Sequence, residues 1–414
     1  MKVDLYNPAF SPTWKRVPLY SLADWVNGMA FKDIHFSETG KPVIKIAEIK
    51  NGITPQTQFT DATYNENIHI ASGNMLFAWS GQPETSIGVF VWHGEDGWLN
   101  QHIFKVLSNG ACTQKFLLFL LRYLNPTFVK IGRNKQTTGL GHVTKADMRL
   151  LQVGVPEKTE QDAIVGLLEP LENKIELLRQ QNETLEQIAR TAFDEWFEKS
   201  TSDGVLPDGW RIYNVADIAD VISGYSYKGA DLVESSTDAL VNLKNFDRNG
   251  GFKTDGMKPL HGSPKKNHEV QLGDLIVAHT DLTQDAEVLG NAALVMEKAG
   301  FEHLYISMDV AKVIPKTPLS AASLYFLMTT RRFKQHCVGY ANGTTVLHLP
   351  RVAVPQYMVV LPADLHSQIL SDFNLLAQAT TQGIASNLDK IQTLTKIRDL
   401  LLPRLMNGEV CVQE

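Results

Sequence analysis

The side chains of this chain that could do chemistry lie in short polar runs, and none completes a catalytic set. Asn7-Pro8-Ala9-Phe10 and Asn125-Pro126-Thr127-Phe128 approach the Asn/Asp-Pro-Pro-aromatic loop that holds a flipped adenine for methyl transfer. Both lack the second proline, and no Gly-x-Gly after a strand accompanies them, so both read as ordinary turns. Glu48-Ile49-Lys50, with Asp33 upstream, has the outline of a metal-dependent nuclease core. Such triplets are common, and Lys50-Asn51-Gly52 reads as a strand running into a turn. There is no Walker A lysine loop, and the histidines show no metal-ligand spacing. Cys112, Cys337 and Cys411 form neither a metal set nor a disulfide framework. That usage suits a reduced, cytoplasmic protein. The expectation is a chain with no catalytic residue, no metal and no cofactor of its own.

The same residue types can recognise instead of react. Base edges are read by Arg, Lys, Asn, Gln, Ser, Thr and His, and phosphates are met by Lys and Arg. The richest run is Lys130 to Lys145, which holds Arg133, Asn134, Lys135, Gln136, Thr137, Thr138 and His142, with two glycines for close backbone approach. A second runs from Asn342 to His348, with Thr344 and Thr345, and follows Arg331, Arg332, Lys334 and His336. Trp79-Ser80 and His279-Thr280 sit where an apolar run emerges. Lys32 and Lys228 each follow an early glycine, and Lys265-Lys266-Asn267-His268 forms a basic tip. All of these are candidate DNA contacts. The competing reading is a solvated loop in each case, and for Trp79 a core position.

The elements that must position these residues occur twice. Trp14-Lys15-Arg16 and Leu22-Ala23-Asp24 return as Trp210-Arg211-Ile212 and Ile218-Ala219-Asp220. Gly28 and Lys32 match Gly224 and Lys228. A β-rich run from Val43 to Ile49 parallels Ala239 to Phe246. Ser72-Gly73-Asn74-Met75-Leu76-Phe77-Ala78 parallels Leu272-Gly273-Asp274-Leu275-Ile276-Val277-Ala278, a Gly-polar turn feeding a buried strand. Ile103-Phe104-Lys105-Val106 matches Val310-Ala311-Lys312-Val313, and each half closes with a strand into proline, at Pro156 and Pro362. The period is a whole domain, so this is a duplication.

Each half ends in a long amphipathic helix. From Glu157 to Lys199 a heptad seam runs Ile164, Leu168, Leu171, Ile175, Leu178, Asn182, Leu185, Ala189, Ala192, Trp196. The second runs Leu370, Phe373, Ala377, Thr380, Ile384, Asn387, Ile391, Leu394, Arg398, Leu401, Leu405, with Thr380, Asn387 and Arg398 as weak points. A seam this narrow needs a partner helix, and antiparallel pairing of the two buries both. Asn182 and Asn387 are then either a buried pair that fixes register or two solvated amides at the seam edge. A helix of ~43 residues is about 60 Å long, so two modules held this way form a caliper. Dimeric DNA readers set half-site spacing in the same way, at about 34 Å or a multiple. The expected layout is residues 1–156 and 203–362 as globular domains, with 157–202 and 363–414 as spacer helices. The fold class is α+β: two duplicated α/β domains joined by two long antiparallel coiled-coil helices about a pseudo-twofold axis.

Charge agrees. The net charge is −6, and the stretch from Glu157 to Lys199 accounts for all of it, leaving the remainder balanced. An acidic chain does not bind nucleic acid indiscriminately. The polar N-terminus, Met1 to Asn7, does not read as a signal peptide, and the longest apolar run, Phe116 to Leu121, is too short to cross a membrane.

With the duplication in view, the chain resembles the specificity subunits of type I restriction-modification systems. The resemblance is carried by Arg190-Thr191-Ala192-Phe193-Asp194-Glu195-Trp196-Phe197, by Leu206-Pro207-Asp208-Gly209-Trp210 and by Leu401-Leu402-Pro403-Arg404-Leu405-Met406-Asn407-Gly408-Glu409-Val410. The paired Gly73-Asn74-Met75-Leu76 and Gly273-Asp274-Leu275-Ile276 also fit, so the likeness covers essentially the whole chain. It implies that each module is a target recognition domain reading one half of a bipartite double-stranded DNA site. It implies that the helices are the ruler and the docking site for two methyltransferase subunits, which bind S-adenosylmethionine and methylate adenine. A restriction subunit can join such a complex. The differing loops of the two halves imply an asymmetric site. The alternative is a DNA-binding adaptor of another defence system that keeps the caliper and meets a different partner.

Overall fold

The computed structural model describes residues 6–136, 139–199, 206–248, 250–316 and 318–410. Thr137 and Thr138 lie outside the described residues. Packing divides the chain into two units, residues 1–174 with 394–414, and residues 175–393. The helices are therefore not separate bodies: each unit takes a part of both.

The first unit is built on an antiparallel sheet in the order Ala23–Asn27, Ile103–Ser108, Met75–Ala78, Gly88–Val91. A second sheet runs Phe59–Thr60, Lys41–Ile44, Gly97–Leu99, His69–Ile70, with a parallel pair at its centre. The second unit repeats both orders: Ala219–Ser223, Val310–Pro315, Leu275–Ala278, Ala292–Leu294, and Lys258–Pro259, Asp238–Val241, His303–Ile306, Glu269–Val270. In each unit the first strand pairs antiparallel with the last, Lys15–Pro18 with Gln152–Val155 and Trp210–Asn214 with Met358–Pro362.

The unbroken apolar run of the buried strand has a physical cause. Side chains alternate across a strand. Met75 and Phe77 enter a core shared with helices, while Leu76 and Ala78 enter a core shared with the second sheet. Leu275 and Val277, against Ile276 and Ala278, divide in the same way. The turn that feeds the strand is also repeated. Gly73 and Gly273 take φ of 88° and 86°, where a side chain is strained, and Asn74 and Asp274 accept from the backbone N–H of Ala71 and Gln271.

Some local expectations change. Ile46–Asn51 is helix, not strand, because the buried Glu48 carboxylate accepts from the Lys45 N–H (3.0 Å) and from Thr57 (3.2 Å). Glu48 is thus a cap, not half of a nuclease core. Asn125 and Pro126 open the helix Asn125–Asn134, where a proline in the first turn gives up no bond. The Lys130–Lys145 loop shrinks accordingly, since Arg133 and Asn134 finish that helix and Lys145 starts the next, Lys145–Leu150.

The central helix spans Lys158–Phe193 and ends in a π-helical turn, Asp194–Glu198. The C-terminal helix spans Gln368–Met406 and starts later than expected, after a turn in which Asp364 accepts from the His366 N–H. In the second unit the helices run antiparallel: Asn387 meets Asn182, and Phe373 packs on Phe193. Ala189, Phe193, Leu370, Phe373 and Ala377 belong to that unit's core. In the first unit Ile164, Leu168, Leu402, Leu405 and Met406 belong to one core, and Arg398 bonds Glu172 at 2.9 Å. The arginine that weakened the seam is thus neutralised by a carboxylate that also takes Arg122 at 2.6 Å.

Candidate nucleic-acid interface

In the first unit the buried strand ends at Trp79, whose backbone is clamped on both sides. Its N–H donates to the His102 carbonyl (3.1 Å), and its carbonyl accepts from the Val143 N–H (2.8 Å). The indole stacks on Phe104 with centroids 5.9 Å apart, and Nε1 donates to Asn27 Oδ1 at 3.1 Å. His102 and His142 flank the ring at 5.6 and 6.1 Å. Ser80 then pairs with His142 in a short ladder, Ser80–Gly81 with Gly141–His142, that roots the polar loop. Lys145 lies 5.4 Å over Phe104. One end of the sheet thus gathers amide, imidazole, indole and ammonium groups, which is the chemistry of base and phosphate contact.

The second unit builds the same frame with other side chains. The His279 N–H donates to the Asp309 carbonyl (2.8 Å), and its carbonyl accepts from the Leu349 N–H (2.7 Å). Thr280 pairs with His348, with their side chains 3.4 Å apart. By this register Trp79 corresponds to His279, Asn27 to Ser223, Gln101-His102 to Met308-Asp309, and Lys145 to Arg351.

The electrostatics favour neutral rings at His279 and His102. Burial, with the charge of Arg351 behind it, pushes the His279 pKa down to about 4. Burial and then His142 lower that of His102. His279 Nε2 and His142 Nδ1 are both buried without a hydrogen-bond partner among the described residues. His279, Ser80 and Thr280 are also 6%, 5% and 5% exposed. These three shape the frame from within rather than presenting free polar edges.

The other candidates divide. Lys32 and Lys228 are exposed and open matching 3₁₀ turns, Asp33–His35 and Gly229–Asp231. Asn134, Gln136, Arg331, Asn342, Thr344, Thr345 and His348 are exposed, as are Lys265 and Lys266 on their tip. Gln136 donates to the Gly139 carbonyl at 2.7 Å, and Asn342 and His348 exchange backbone hydrogen bonds across the second loop. Arg133 pairs with Glu84, and Arg332 lies 3.5 Å from Glu198 at the end of the central helix. Lys135 donates to both oxygens of the buried Asp147, at 2.6 and 2.8 Å, and so holds the loop in place. Lys334 is spent likewise on the carbonyls of Leu289 and Glu287 and on Asn291.

Asn27, Gln101, His102 and Lys145, with Met308, Asp309 and Arg351, are candidates that reading the sequence did not single out. The repeat held the signal for two pairs of them, because Gln101-His102 and Met308-Asp309 directly precede the matched strands.

Among the described residues, no helix is long and apolar enough to cross a membrane. A family model described as "Type I restriction modification DNA specificity domain" matches residues 12–187. The chain is 24% identical over 280 residues to the type I restriction enzyme MjaIX specificity subunit of Methanocaldococcus jannaschii, across 64% of this chain and 62% of that one. It thus spans less than two thirds of that relative's length. It is 23% identical over 404 residues to the HindI specificity subunit of Haemophilus influenzae, across 82% of this chain and 87% of that one. The fold matches a crystal structure of a type I system S subunit from M. genitalium, with a TM-score of 0.56 and 14% identity over 95% of this chain and 96% of that one. A DNA specificity domain of the type I class is therefore matched by residues 12–187. The chain as a whole is similar to type I restriction-modification specificity subunits.

Proposed function

We propose that this chain selects the DNA site of a type I restriction-modification complex and carries out no bond-making step itself. Each unit reads one half of a bipartite double-stranded site, and the antiparallel helices set the spacing between the halves. The observation that carries this reading is one frame with two sets of readers: indole, amides and imidazole around Trp79, against the His348 imidazole and the thioether and carboxylate of Met308 and Asp309 around His279. Identical frames with unlike side chains suit two unlike half-sites.

The helices offer the surface for partners. Leu177, Ile188, Leu375 and Leu400 are 46%, 52%, 64% and 62% exposed, outside the seam. A groove along Glu183, Gln187, Ile188, Thr191 and Trp196 is mixed apolar and acidic. Two methyltransferase subunits would dock here. S-adenosylmethionine and the transfer to adenine N6 belong to them, and restriction subunits would join that complex.

The test is selection of duplexes from a random pool by the purified full chain, with its methyltransferase where the two co-purify. Two unlike elements at fixed spacing are expected. Enrichment of one continuous element, or of nothing, contradicts the reading.

A further inference from the structure

We propose that one tight turn in each unit, Gln101-His102 in the first and Met308-Asp309 in the second, is a base-reading position that makes the half-sites differ. The inference rests on the DNA-reading function proposed above and assigns part of it to a segment outside the polar loops.

The turn is the same backbone device twice. The Ile103 N–H closes on the Asn100 carbonyl at 3.2 Å, and the Val310 N–H on the Ser307 carbonyl at 2.9 Å. Behind it a glycine packs with no room to spare: a Cβ on Gly28 would lie 2.2 Å from the Asn100 carbonyl oxygen, and one on Gly224 2.1 Å from that of Ser307. The residue ahead of it, Trp79 or His279, is bonded to the turn's own carbonyl. A turn held on two sides presents its side chains at a fixed place, which is what direct readout needs. It lies at the sheet end where the polar loop is rooted.

The polar edges held there are little used by the fold. Among the described residues, the side-chain hydrogen bond of Gln101 and His102 is to each other, Nε2 to Nε2 at 3.3 Å, while the His102 ring flanks Trp79. Met308 is 55% exposed and receives one weak bond, from Ser226 at 3.6 Å. Their chemistry is opposed. A glutamine amide matches adenine N6 and N7, whereas an apolar side chain meets the thymine methyl and a carboxylate accepts from cytosine N4. The first unit's turn therefore favours adenine, and the second unit's turn favours a pyrimidine.

The experiment is duplex selection with the full chain carrying Gln101→Met and His102→Asp, and separately Met308→Gln and Asp309→His. Each variant should change the preferred base at one or two positions of one half-site, by about tenfold or more, and the two variants should change opposite halves. Spacing and the other half should stay as in the parent chain. Gln101→Ala and Met308→Ala are milder variants that should relax preference at the same positions. Parent-like motifs from variants with parent-like thermal unfolding overturn the proposal and leave the DNA-reading function standing. A parent chain that selects no bipartite motif removes the function itself, and this inference with it.

Discussion

Asn387 Nδ2 donates a 2.9 Å hydrogen bond to Asn182 Oδ1, joining the one polar seam position of the central helix to its counterpart on the C-terminal helix. Asn387 is 9% exposed and Asn182 is half-buried. A buried amide pair in an apolar seam is satisfied in one register only, so it selects that register at some cost in stability. Asn182→Leu alone leaves the Asn387 amide unpaired and should cost about 1 kcal/mol, while the double Asn→Leu variant should be near neutral or better. Unfolding of both single variants and the double one gives the coupling. Additive losses would show that the two amides act independently.

Lys135 is read as structural. Burial alone would raise the Asp147 carboxyl, but hydrogen bonds from Lys135, Thr144 and Tyr6 outweigh it and hold the pKa below the usual aspartate value. A lowered folded pKa gives stability that is present above about pH 4, the unfolded value, and is lost as pH falls through the folded one. Lys135→Ala should therefore lower unfolding stability by about 2 kcal/mol, and Asp147→Asn should flatten the acid side of the stability profile. A Lys135→Ala variant that unfolds like the parent contradicts this placement.

Arg133 should behave in the opposite way. Its pair with Glu84 is exposed on both sides, and exchange of such a pair for a phosphate costs little. Arg133→Ala should leave thermal unfolding nearly unchanged and reduce the slope of log K against log salt by about one. An unchanged slope takes Arg133 out of the interface.

His279 gives the second unit a pH dependence. Its pKa lies near 4 in the fold, because the ring is buried and Arg351 is close, against ~6.5 unfolded. Below ~6.5 the unfolded chain binds the proton and the folded one does not. Stability is therefore full above that pH and falls progressively towards pH 4. His279→Leu should remove this slope between pH 6.5 and 4, measured by thermal unfolding. A slope that survives the substitution must come from other groups.

The long elements were legible because they repeat with a physical period. Heptad spacing marked both helices, and the duplicated Gly-polar turns marked both buried strands down to the matching bonds of Asn74 and Asp274. The use made of a polar side chain was not legible. Asn182 paired or solvated, Lys135 on a phosphate or on Asp147, and Glu48 as catalyst or cap all depend on what the fold brings within 3 Å. Gly28 and Gly224 looked like markers of the repeat, whereas their packing on the next turn's carbonyls is a tertiary fact. The Gln101-His102 turn was passed over because two polar residues before a strand carry no signal of their own. Only the register against Met308-Asp309 gives them meaning.

The most direct test of the central claim is the methylome of the host with and without this gene. Loss of N6-methyladenine at a single split motif with unlike halves is the predicted result, and it would give both half-sites and their spacing together. A methylome unchanged by the deletion, in a host where the partner methyltransferase is expressed, would contradict the assignment of site selection to this chain.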